Sequence, residues 1–145
     1  MLRKPQNPIF IDSNIFFYSI IRDRKYGNAS AKIITHIYER KITATITSII
    51  LLEVANALRK YRVQSIEMKI KSIVSLPIKI FDVNTVTIRE AIKLSEQYKI
   101  SPYDATHAVI CIRNGINTVI SADKEFDKIK ELERIDPLDF EHVFV

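Results

Sequence analysis

Short apolar runs alternate along the chain with longer amphipathic ones. Pro8 to Ile11 has the character of a buried strand and ends at Asp12. Between Asn28 and Arg40, apolar side chains fall at Ala31, Ile33, Ile34, Ile37 and Tyr38, the spacing of one helix face. Ile42 to Ile46 is rich in β-branched residues and reads as a second strand; Thr47 or Ser48 then caps a helix reaching to about Arg62. A helix from about Ser65 to Ser75 stops before Pro77, and Ile78 to Val83 is a third strand. Asn84 or Thr85 caps a helix to about Tyr98, and Ser101-Pro102 opens another that ends near Asn114-Gly115. Asn117 to Ser121 is a fourth strand, Lys124 to Ile129 a helical turn, and Arg134 to Asp136 a weak last strand.

Strands that alternate with helices predict an α/β domain, with a parallel sheet covered on both faces. Right-handed crossovers wind such a sheet outward from its first strand, giving the strand order 3-2-1-4-5. No repeat, linker or low-complexity stretch divides the chain, so residues 1–145 read as one domain. Strands 1 and 4 then lie side by side at the switch point, and ligands of open α/β sheets bind in the crevice beyond the carboxyl ends there. The chain has only two glycines and no Gly-rich loop after any strand. That disfavours dinucleotide and P-loop nucleotide binding, in which glycines let backbone amides approach phosphate.

Composition narrows the class further. Hydrophobic residues are 47% and charged residues 27% of the 145, the balance of a soluble globular protein. No apolar run reaches the roughly 20 residues of a membrane helix. Arg3 and Lys4 are not followed by an apolar stretch, so no secretion signal is expected and the cytoplasm is the expected location. Cys111 is the only cysteine, which excludes a disulfide framework and a cysteine zinc site; three scattered histidines argue against a His-rich metal site. The net charge of +5 is uneven: residues 1–71 hold 13 Lys/Arg against 5 Asp/Glu, and residues 72–145 hold 9 against 12. A basic half suits a polyanionic partner, although a solvated Lys-rich surface accounts for the same numbers.

The crevice is where acidic residues collect. Asp12 ends strand 1 and Asp123 follows strand 4, so two carboxylates 111 positions apart can meet. Each is also a plausible helix N-cap. Asp104 sits in Ser101-Pro102-Tyr103-Asp104, a capping-box spacing that explains it locally; two helices separate strands 3 and 4, so its placement at the crevice is not forced. Glu53 interrupts an apolar helix. On a helical wheel it forms a narrow polar stripe with Asn56 and Lys60 beside Ile49, while Ile50, Val54, Ala57, Leu58 and Tyr61 point the other way. The stripe is either solvated or lines the crevice.

Carboxylates that converge without enough cations repel one another and rise in pKa, a conflict that divalent cations resolve. Mg²⁺ or Mn²⁺ prefers such oxygen ligands, and ions of this kind activate water and stabilise phosphodiester cleavage. Arg22, Arg24 and Lys25, with Arg59, Lys60 and Arg62, are candidates for holding a nucleic-acid backbone. His107, one turn after Asp104, reads as a helix-face histidine with a packing or hydrogen-bonding role rather than as a general base.

Four segments resemble the motifs of PIN-domain proteins. Ile9-Phe10-Ile11-Asp12-Ser13-Asn14-Ile15 is similar to the opening hydrophobic–Asp–x–Asn segment, and Thr47 to Val54 to the second acidic motif around Glu53. Ser101-Pro102-Tyr103-Asp104-Ala105 resembles the third, and Ser121-Ala122-Asp123-Lys124-Glu125-Phe126 the fourth. They occur in order and span residues 9 to 126. The resemblance implies a three-layer α/β/α fold and a metal-dependent ribonuclease in which Asp12, Glu53, Asp104 and Asp123 bind Mg²⁺ or Mn²⁺. It implies that Asn14 and Ser121 orient the site, with Asp127 as an auxiliary acid. The compact form looks most like the toxin subunit of a VapBC toxin–antitoxin pair, which implies an RNA substrate, a homodimer and an inhibitory antitoxin.

Two rival readings make different demands. An inactive PIN fold would bind RNA or protein without turnover. A phosphoryl-accepting receiver domain would need an acceptor at the end of the third strand, for which Asp82 is the only candidate.

Overall fold

The computed structural model describes residues 7–145; Arg3 and Lys4, on which the reading of no secretion signal rests, lie outside the described residues. In chain order the elements begin β1 (Ile9–Ile11), α1 (Ser13–Ile21), α2 (Gly27–Tyr38), β2 (Ala44–Thr47), α3 (Ser48–Lys60), α4 (Ile66–Val74) and β3 (Ile78–Phe81). They continue with α5 (Thr85–Tyr98), α6 (Pro102–Arg113), β4 (Thr118–Ile120), a 3-10 turn (Lys124–Lys128), β5 (Glu133–Ile135), a second 3-10 turn (Pro137–Asp139) and α7 (Phe140–Phe144).

The five strands form one sheet in the order β3-β2-β1-β4-β5, parallel throughout, as the alternation of elements predicts. Phe10 pairs with Thr45 on one side and Val119 on the other, which makes β1 the central strand. Continuous burial along β1 and β2 follows from helices on both faces. The crossovers from β1 to β2 to β3 carry α1 to α4, with α1 packed on α2 and α3, and α3 on α4. The return from β3 to β4 carries α5 and α6, packed on each other. Every residue of α6 from Asp104 to Cys111 is buried, so this helix has no solvated face.

Capping places the helix starts. Thr47 closes β2 and accepts the Ile50 N–H at 3.4 Å, so it, not Ser48, is the cap of α3. Asn84 does the same for α5 and Ser101 for α6. Helix α1 was invisible to periodicity because its apolar residues are nearly continuous: Ile15-Phe16-Phe17-Tyr18, then Ile20-Ile21. The wheel is corrected at one edge of α3. Ile50, Val54 and Leu58 are buried as expected, but Tyr61 is exposed, because α3 ends at Lys60 and Tyr61 leaves helical geometry as its C-cap.

Asp82 is exposed beyond the end of β3, an edge strand that β2 separates from β1. It cannot join Asp12 in a common pocket, which removes the receiver-domain reading. Among the described residues, no helix is long and apolar enough to cross a membrane.

Candidate active site

The strand-to-helix junctions at the carboxyl edge of the sheet build the site. β1 passes into α1 with no loop. Asp12 is the junction: its extended backbone caps α1 and its side chain accepts the Ser13 N–H at 2.8 Å. β2 passes into α3 the same way, which puts Glu53 in the second turn of α3 facing the same space. β4 ends one residue before Ser121, and Asp123 caps the following 3-10 turn by accepting the Glu125 N–H at 3.0 Å. Asp104 arrives from the opposite helical layer. Ser101 accepts its N–H at 3.1 Å, but the Asp104 carboxyl does not complete the capping box; it turns to Asp123 instead. Lys99 and Ser101, in the turn between α5 and α6, line the same cleft, which answers the open question of where Asp104 lies.

The cleft has a volume of about 920 Å³ and is lined by Ser13, Glu53, Asp104 and Asp123 together with Ile49, Asn56 and Lys60. The polar stripe of α3 therefore faces the cleft, and Ala57, assigned by the wheel to the core, lines it too. Asp12 is not itself in the lining: it is 3% exposed and lies behind Ser13, with a carboxylate oxygen within 4.8 Å of one of Glu53. Its carboxylate Oδ2 accepts from Ser121 Oγ at 2.5 Å and from Asn14 Nδ2 at 3.2 Å. Asn14 also donates to Ser121 Oγ and accepts the Ala122 N–H, and Ser121 Oγ accepts the Asp123 N–H at 2.9 Å. Asn14 and Ser121 thus tie the Asp12 and Asp123 junctions together.

The electrostatics are those of crowded acids. Burial raises the Asp12 carboxyl and Glu53 adds to that, while His107 and the Ser121 and Ser13 hydrogen bonds pull it back. Asp104 is pushed up to about 8, first by burial and then by the charges of Asp12, Asp123 and Glu53. Among the described residues, no Lys or Arg pairs with any of the four acids; the one basic side chain bonded to them is His107, on Glu53.

Other expected residues are placed less simply. Asp127 does not line the cleft. It grips Arg134 with both oxygens, at 2.9 and 3.3 Å, and Arg134 in turn donates to the Ser121 carbonyl at 2.9 Å. Its connection to the site is through that backbone, because an arginine seven residues on is nearer than the cleft. Of the six basic candidates, Lys60 lines the cleft and Arg59 donates to Asn56 of its wall at 3.3 Å. Arg22, Arg24 and Lys25 are exposed in the α1–α2 connection and Arg62 just past α3, outside the lining. The sequence reading passed over Lys99 and Tyr103, which line the rim; Tyr103 is 61% exposed beside Asp104. Nothing in the local pattern marks Lys99, a helix C-cap in the left-handed region at φ 55.

The donor set fits a hard divalent cation. Its groups are carboxylate oxygens, buried or half-buried, with a surplus of negative charge that protonation of Asp104 relieves only in part. Asp12, Glu53 and His107 each offer an atom, all within 4.8 Å of one another. Both nitrogens of His107 are already hydrogen-bonded and a nitrogen has no second lone pair, whereas each Glu53 oxygen accepts one bond and keeps a lone pair for a cation.

The PIN domain family matches residues 9–132, a span that includes all four acids. No curated protein matches the chain. Several solved structures are similar in fold. VapC20 of Mycobacterium tuberculosis, a Sarcin-Ricin loop cleaving toxin, is 14% identical at a TM-score of 0.73, over 84% of this chain and 95% of that one. VapBC2 of Rickettsia felis, bound to a DNA fragment from their promoter, is 20% identical at 0.65, over 89% and 98%. A DNA-bound VapBC of Salmonella typhimurium is 16% identical at 0.64, over 91% and 99%.

Proposed function

This chain belongs to the PIN-domain family, and on that premise we propose that it is a metal-dependent endoribonuclease, the toxin of a toxin–antitoxin pair. The observation that carries the reading is the convergence of Glu53, Asp104 and Asp123 on one cleft, with Asp12 buried against Glu53 and close enough for its charge to act on Asp104, and with no Lys or Arg paired to the four among the described residues. Asp12, Asp104 and Asp123 would hold Mg²⁺ or Mn²⁺. Bound there, the ion supplies the charge that neutralises a phosphodiester and polarises water for attack. Asn14 and Ser121 hold the Asp12 carboxylate in place through its Oδ2. Glu53 faces the same space and positions the attacking water or completes a second ion site. Lys60 and Lys99 on the rim hold the phosphates on either side of the cut.

The test is RNA cleavage by wild type and Asp12→Asn, with and without Mg²⁺ or Mn²⁺. Loss of at least about 100-fold in rate is expected for the variant. Undiminished cleavage overturns the reading. RNA binding without turnover under saturating Mn²⁺ favours the inactive, binding-only PIN fold instead.

The same reading makes the chain a single cytoplasmic domain over residues 1–145 that forms a homodimer and is inhibited by an antitoxin. The fold it shares with VapBC toxins supports this. Light scattering of the purified chain tests the dimer. Co-expression with the product of the adjacent open reading frame tests the antitoxin, which is expected to suppress cleavage.

A further inference from the structure

His107 has no part in the function just described, yet it is fully buried and both of its ring nitrogens are engaged. Its ring packs on Phe10 of the central strand, centroid to centroid at 5.2 Å. Nδ1 lies 3.1 Å from Thr47 Oγ1, and Nε2 lies 2.5 Å from Glu53 Oε1. The neighbours decide which nitrogen carries the proton. A carboxylate can only accept, so the nitrogen facing Glu53, Nε2, carries the hydrogen of the neutral ring, and the Thr47 hydroxyl, which also accepts the Ile50 N–H, donates to Nδ1. Nδ1 is then an acceptor, and Nε2 carries the hydrogen that it donates to the carboxylate. The other oxygen of Glu53, Oε2, accepts from Ser13 Oγ at 3.0 Å. One donor from α6 and one from α1 thus grip the two oxygens of Glu53, and each oxygen retains a second lone pair.

We propose that His107 is the positioning residue for Glu53: anchored by Thr47 at Nδ1, it fixes the plane of that carboxylate through an Nε2–H bond, opposite the Ser13 hydroxyl. The role Glu53 would then play rests on the ribonuclease reading; the clamp itself does not. Partners of this kind, one bond behind a metal-binding or water-positioning group, hold it in a productive orientation.

The full-length metal-free protein gives the first test. Imidazole nitrogen–proton NMR spectra are expected to show His107 as the Nε2-protonated tautomer; an Nδ1-protonated ring overturns the proposal. Two near-isosteric variants give the second. His107→Gln can place an amide N–H where Nε2 was, whereas His107→Asn reaches only towards Thr47. The Asn variant is expected to lose about 10- to 100-fold in Mn²⁺ affinity, measured by paramagnetic resonance of free Mn²⁺, and in cleavage rate; the Gln variant recovers most of both. In a Glu53→Ala background the same Asn substitution is expected to cost nothing further, because the two act as one unit. Equal losses in Gln and Asn variants, with equal falls in Tm, reduce His107 to packing and overturn the proposal. If neither variant folds, the wild-type spectra decide. A wild type with the expected tautomer but no cleavage in Mn²⁺ overturns the ribonuclease reading and leaves the clamp standing. Cleavage with the opposite tautomer overturns the clamp alone.

Discussion

Asp104 is 7% exposed, yet among the described residues no base pairs with it; its side-chain partner is another acid, Asp123. Its folded value of about 8 lies above the ordinary 3.8, so the folded state keeps a proton that the unfolded chain releases. The stability this contributes is complete below about pH 4 and is lost as pH rises through about 8. The metal-free wild type is therefore expected to lose Tm across that window relative to Asp104→Asn, whose amide does not ionise. Differential scanning calorimetry at pH 5 and pH 8.5 checks this, and added Mn²⁺ is expected to restore the wild type but not the variant at pH 8.5. Asp127 makes a second case. Its pairing with Arg134 braces the Ser121 carbonyl, so Asp127→Ala is expected to lower cleavage by about 10-fold while leaving measurable activity, unlike Asp12→Asn. The acids themselves were legible from strand ends and helix starts. The fate of Asp127 was not, because nothing in its own segment says that Arg134 of the neighbouring strand will reach it first.

At the scale of elements, the caps and strand ends carry most of the placement. Thr47, Asn84 and Ser101 each end an extended segment and start a helix by accepting a backbone N–H, and such positions can be read from residue type alone. Ser101→Ala is expected to cost about 1 kcal/mol in urea denaturation. It should also weaken Mn²⁺ binding, since the start of α6 holds Asp104. The junction of α1 and α2 could not be read in this way. Gly27 lies so close to the end of α1 that an added Cβ would sit 2.9 Å from the carbonyl carbon of Arg22. Backbone cannot give way as a side-chain tip can, so Gly27→Ala is expected to destabilise by about 1–3 kcal/mol, measured by the same denaturation. Helix α1 escaped the pattern because it is apolar nearly all round, and a helix without a polar face shows no period.

Over the whole molecule, the net positive charge and the acidic cleft are complementary features. On the proposed reading the cleft takes the ion, while Lys60 and Lys99, which line it, would face the phosphates. Removing both as Lys60→Ala and Lys99→Ala is expected to raise KM for RNA more than it lowers kcat. It should also flatten the dependence of log KM on log salt by roughly 1 to 1.5, the yield of about two lost phosphate contacts. Unchanged salt dependence would show that the rim lysines are not in the substrate path. The excess of basic residues in the first half suits such a partner and includes Lys60, but Lys99 lies in the acidic half. Charge counted along a chain does not say which side chains share a surface, and the α1–α2 basic group lies outside the cleft lining.

The alternation of strands and helices was enough, by itself, to determine the parallel sheet, its strand order and the edge at which the site is expected. Right-handed crossovers leave few ways to wind such a chain. The four acids could likewise be found as isolated caps and one stripe. Only the tertiary structure decided that they meet, that the Asp104 carboxyl turns to Asp123 while Ser101 keeps the cap, and that Thr47, His107 and Ser13 fasten Glu53 from three elements. The bonds on Glu53 and His107 join residues 40 to 60 positions apart. Packing of the two helical layers on one sheet creates them, and no local preference encodes them.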